Sequence, residues 1–200
     1  MRVIETKVYT YDELSEEAKE KAIEKNRYVN VDISEWYYFV YGVFKHQYSN
    51  LFEITNIYFS GFYSQGDGAM FEYDGVTDKL IDEFISQLQL TPLRKKLVKE
   101  AIYFSGSGKH SGHYYHERTC SHSFYVESQY NLERYHKNIE EFIDNIAMDF
   151  EVYIEERYID LCQELYQSLK DEYEWYISDK AITEHLIENE YEFTEQGELI

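Results

Sequence analysis

The chain has 200 residues and a formal net charge of −20, with 39 acidic against 19 basic side chains. Such a surface repels nucleic acid and anionic membranes and attracts basic partners at a rate that salt suppresses. The length suits one domain with its own core, and no apolar run approaches the ~20 residues that a membrane span needs.

In chain order, the opening RVIETKVYT alternates as a strand does, and residues 11–27 read as a helix, acidic early and basic late as the helix dipole favours. Residues 35–48 (EWYYFVYGVFKHQY) form a second helix, apolar on most faces and therefore expected to be buried. The pentapeptide IYFSG occurs twice, at residues 57–61 and 102–106. Each copy is expected to be the outgoing strand of a hairpin whose return strand follows a glycine-rich turn.

Between the hairpins, residues 76–90 carry Leu80, Ile81, Phe84, Ile85 and Leu88 at helical spacing. Thr91-Pro92 then starts a further helix, with Thr as cap and Pro at the first position. From residue 133 a long helical stripe runs through Ile139, Phe142, Ile146, Phe150, Ile154, Tyr158, Leu161, Leu165 and Leu169. Unbroken to residue 176 it would reach roughly 65 Å, long for a compact domain, so a kink or break is expected. Ser178 or Asp179 caps a last helix, and residues 191–200 close as a small hairpin.

The expected fold is therefore α+β: a small antiparallel sheet built from the two hairpins and the first strand, packed by helices. It is read as one domain over 1–200, with a mixed part at 1–132 and an acidic helical part at 133–200. The charge is lopsided in the same way. Residues 1–132 carry a net −5 and residues 133–200 a net −15. The local exception is residues 93–118, where Arg94, Lys95, Lys96, Lys99, Lys109 and Arg118 face only Glu100 and Glu117. This basic island and the acidic last third suggest a salt-sensitive homodimer.

Three stretches, VYTYDELSEEAKEKAIEKNR, IYFSGFYSQGDGAMFE and ISDKAITEHLIENEYEFTEQGELI, resemble a widespread group of uncharacterised proteins of tailed bacteriophages and prophages, some labelled as antitoxins of toxin-antitoxin systems. The resemblance touches both ends and the centre, and it implies a phage accessory protein acting inside a bacterial cell. A cytoplasmic setting also suits Cys120 and Cys162, which follow neither a metal nor a redox spacing.

No complete enzyme signature is visible, and no cofactor is called for. The run at residues 105–116 (SGSGKHSGHYYH) invites comparison with a phosphate-binding loop. It lacks the glycine five before Gly108, where Tyr103 stands, and His110 replaces the magnesium-binding Ser/Thr. His110, His113, His116, Cys120 and His122 offer zinc-type donors, but their spacing alone does not converge them, so no metal is assigned. Asp67 between Gly66 and Gly68 fits a tight turn as well as a general base. A ligand-binding or metal-assisted hydrolytic alternative would use Gln65, Asp67, Lys109, His110, His113 and His116 across one cleft.

The preferred expectation is a non-enzymatic inhibitor of a host protein with a basic, nucleic-acid-binding surface. Thirteen carboxylates lie between Glu133 and Glu174, about one per ~5 Å of helix against one phosphate per ~3.4 Å of a DNA strand. Glu151, Glu155, Glu156, Asp160 and Glu164 recur at helical spacing and are the expected contact residues.

Overall fold

In the computed structural model, residues 7–32, 35–128 and 137–200 are described. The fold is α+β, and its elements fall into two compact units, one from residues 1–39 and 169–200 and the other from residues 40–168. The last third of the sequence, set apart by charge, is shared between them.

The first unit is built on α1 (Glu16–Lys25) and α7 (Asp179–Glu188). Both caps are local: Ser15 accepts from the amide of Ala18, and Ser178 accepts from that of Ala181. The expected helix over 11–27 begins at Glu16 instead. Glu13 turns its carboxylate back onto the amide and hydroxyl of Thr10, closing a 3-10 turn at Tyr11–Glu13. A short helix, α2 (Val29–Asp32), follows unforeseen. Tyr11, Leu14, Ala18, Ala22, Ile182, Leu186 and Phe193 pack as one core.

The described part of the opening strand does not join the main sheet. Tyr9 bridges Phe193 instead, and Phe193 bridges Leu199 within the small closing hairpin. Gly197 turns that hairpin at φ +76°, and a Cβ there would lie 2.1 Å from the Ala18 carbonyl oxygen.

The second unit carries a four-stranded antiparallel sheet in the order β1 (Phe52–Phe59), β2 (Ala69–Val76), β3 (Ile102–His110) and β4 (Cys120–Ser128). The two hairpins are present, joined through α4 (Asp78–Gln87) and α5 (Pro92–Ala101). Thr77 and Thr91 cap these helices, with Pro92 in the first turn of α5. The two IYFSG copies are not equivalent. The first ends β1, whereas the second begins β3, which runs on through Ser105-Gly106-Ser107-Gly108 to His110. Residues 105–110, expected as loop, pair with β4 in unbroken register from Ile102↔Ser128 to His110↔Cys120. Their glycines are packing features: a Cβ on Gly108 would lie 2.3 Å from the Tyr73 ring and 2.8 Å from Cys120 Sγ.

Two helices contribute to both units. α3 (Tyr38–Tyr48) is shorter than expected and buries only Val40, Phe44 and Tyr48, one face at i, i+4, i+8. Phe39 stays 69% exposed, so the expectation of burial on most faces fails. α6 (Lys137–Tyr176) runs for 40 residues without the expected break. Its apolar stripe is continuous, from Ile146 through Phe150, Ile154, Tyr158, Leu161 and Leu165 to Leu169, so no segment gains by leaving the helix. Within the second unit, Phe150 packs on Phe84 and Phe104 at 5.3 and 4.9 Å, and Tyr158 packs on Phe71 at 4.6 Å.

Candidate functional site

The five carboxylates singled out from the sequence all lie on the part of α6 within the second unit, and all are exposed. At about 100° per residue they divide around the helix. Glu151 and Glu155 flank one side, Glu156 and Asp160 the other, with Ile154, Tyr158, Leu161 and Leu165 buried behind them. Met148 and Val152 lie between the flanks, one turn apart, 65% and 55% exposed. Half-buried Ile159 continues the line. The exposed face of α6 is thus an apolar line edged by carboxylates.

Glu151, Glu155, Glu156 and Asp160 form no ion pair among the described residues. Glu164 differs, because it accepts a hydrogen bond from the Tyr48 hydroxyl of α3. Burial, and then that carboxylate, push the Tyr48 hydroxyl up to about 12. Glu156 and Asp160 line an open cleft of about 340 Å³ together with Glu83 and Gln87 of α4, Tyr153 and Arg157. Three carboxylates and an aromatic wall around one guanidinium leave the cleft net acidic, fitting the cationic end of an incoming side chain.

The second expected set falls on two packed loops and on the end of β3, where Lys109 and His110 stand. Gly66, at φ +92°, lies against the Tyr114 ring, and a Cβ on Gly68 would meet His116 Cβ at 2.4 Å. Asp67 accepts from the amides of Tyr63 and Ser64 at 2.7 and 2.6 Å, so its carboxylate organises its own turn. Lys109 pairs with Asp74 at 2.6 Å, which raises its ammonium pKa. His110 sits in an aromatic group with Tyr58 and Tyr115, and its amide donates to Glu72. Hydrogen bonds from Asn56 and that amide hold Glu72 below the usual carboxylate range.

His116 caps a 3-10 turn by accepting from the Arg118 amide, His113 is exposed against Tyr114, and Gln65 is exposed. Among the described residues no three His, Cys, Asp or Glu side chains are placed to hold a metal ion.

A polar group that sequence reasoning missed lies against the core. Tyr73 shares a 2.8 Å hydrogen bond with His122 Nδ1, and Tyr158 donates to the Phe71 carbonyl. Burial lowers the His122 pKa and pushes the Cys120 thiol up to about 11, so both are neutral in neutral solution. The only trace in the sequence is the alternation that puts Cys120 and His122 on one face of β4.

No curated protein and no solved structure matches the chain. A family model does match, over residues 36–179, a span that includes all four strands and all of α6. The chain belongs to the family described as Domain of unknown function (DUF8835).

Proposed function

We propose that the protein is a non-enzymatic binding protein whose exposed α6 face occupies the basic, nucleic-acid-binding surface of another protein. The observation that carries this reading is the set of four carboxylates, Glu151, Glu155, Glu156 and Asp160, exposed and without an ion-pair partner among the described residues. Carboxylates left in water by their own chain keep their full attraction for Lys and Arg, and they lose little by being paired at an interface. Met148 and Val152 add an apolar contact to the electrostatic one. The bacteriophage setting implied by the resemblance makes a host defence protein, such as a nuclease, the expected target.

Capture from a bacterial lysate on the immobilised full chain tests this. The expected result is retention of nucleic-acid-binding proteins that added duplex DNA displaces and rising salt releases steeply. Retention indifferent to both DNA and salt would overturn the reading.

A further inference from the structure

A second exposed helix face in the same unit is the chemical complement of the α6 face. On α5, Leu93 and Leu97 are 70% and 53% exposed and lie one turn apart, while Val98 is the residue that faces the core. At about 100° per residue Arg94 and Lys96 flank this ridge on its two sides, Glu100 lies beside it, and Lys95 and Lys99 fall on the opposite half of the helix. Lys95 and Lys99 turn toward α4, onto the Ser86 carbonyl and Asp82, and Lys96 reaches Glu100 at 3.7 Å, so the cations that can meet a partner at this ridge are Arg94 and, in exchange for Glu100, Lys96. On α6, Met148 and Val152 have the same i, i+4 spacing, edged by Glu151 and Glu155 on one side and Asp149 and Glu156 on the other.

We infer that these two faces are halves of one contact, and that the occupant of the α6 face in the isolated protein is α5 of a second copy. Three features favour a copy of this chain. The apolar pairs share one spacing, about 6 Å along each helix axis, so the Leu93/Leu97 ridge seats between Met148 and Val152 as i±4 ridges do. The flanking charges, Arg94 and Lys96 on α5 against Asp149, Glu151, Glu155 and Glu156 on α6, are opposite in sign, which favours α5 on α6 over α6 on α6. Each chain carries both halves, so two copies can exchange them reciprocally and cover both apolar pairs in a two-fold contact.

The overall charge of −20 opposes association at long range. At about 0.1 M salt that repulsion is screened beyond ~10 Å while contacting pairs are not; at about 1 M the contacts weaken too. Self-association is therefore strongest at moderate ionic strength. It covers the carboxylates assigned above to a foreign partner and so competes with that partner, but it does not depend on that partner existing.

Sedimentation of the full chain at about 0.1 M salt, to concentrations of about 100 µM, tests the inference. The expected result is a concentration-dependent dimer. The double variant Leu93→Glu, Leu97→Glu should weaken it about tenfold or more, since it removes the apolar ridge and adds like charge facing α6. Both leucines are exposed, so circular dichroism of this variant should match the wild type. The same variant leaves every α6 carboxylate intact, so capture of a foreign partner should persist or rise. A monomer at every concentration, or a dimer unaffected by the α5 changes, would overturn the inference whether or not a foreign partner is found.

Discussion

Tyr158 of α6 donates its hydroxyl to the backbone carbonyl of Phe71 in β2 at 2.9 Å, with both residues fully buried. This bond ties the long helix to an inner strand of the sheet, and the two rings pack at 4.6 Å. Tyr158→Phe keeps the ring and strips the carbonyl of that donor, a loss of about 1–3 kcal/mol. Tyr158→Ala also leaves a ring-sized cavity, and about 3–5 kcal/mol is expected. Urea unfolding of the two variants checks the order; equal stability of Tyr158→Phe and wild type would show that the bond contributes nothing.

Acid should act through His122. Burial lowers its pKa in the fold below the ordinary value near 6.5, so the unfolded chain takes up a proton that the folded chain refuses. The associated stability is complete above the unfolded pKa and is lost as pH falls through the folded one, with a limiting slope of ~1.4 kcal/mol per pH unit. His122→Asn, which keeps an acceptor near the Tyr73 hydroxyl, should remove that slope. Relief of the chain's general negative repulsion is common to both proteins and cancels in the comparison. Parallel stability curves between about pH 7.5 and pH 5 would contradict this account of His122.

Two glycines should respond in opposite directions to the same change. A methyl at Gly108 runs into the Tyr73 ring at 2.3 Å and Cys120 Sγ at 2.8 Å, so Gly108→Ala should cost about 1–3 kcal/mol. Gly42 lies exposed inside α3 with nothing within 4 Å of an added Cβ. Gly42→Ala should therefore stabilise by about 0.5–1 kcal/mol, by restricting the unfolded chain and favouring helix. Thermal melts of the pair check both signs.

What could be read from the sequence was what is decided locally. The caps at Thr91 and Ser178 and the start at Pro92 follow from side chains beside the amides they satisfy, and the α6 stripe follows from its period. Residues 105–110 misled because Gly106 and Gly108 look like loop residues, while their cause lies far along the chain, in the rings of Phe124 and Tyr73. Asp67 read first as a turn residue and second as a group for chemistry, and its bonds to the Tyr63 and Ser64 amides are contacts that spacing alone does not display. The exposure of Met148 and Val152 was hidden for a related reason: an apolar residue beside a core stripe reads as core unless the packed neighbours are known.

The most direct test of the acidic α6 face is to compare two triple variants in partner capture. Glu155→Lys, Glu156→Lys and Asp160→Lys reverse three exposed charges and should each shift stability by less than about 0.5 kcal/mol. His110→Ala, His113→Ala and His116→Ala alter the hairpin loops and leave α6 untouched. Captured nucleic-acid-binding proteins should be lost with the first variant and retained with the second; retention by the charge-reversed chain and loss by the histidine variant would contradict the account.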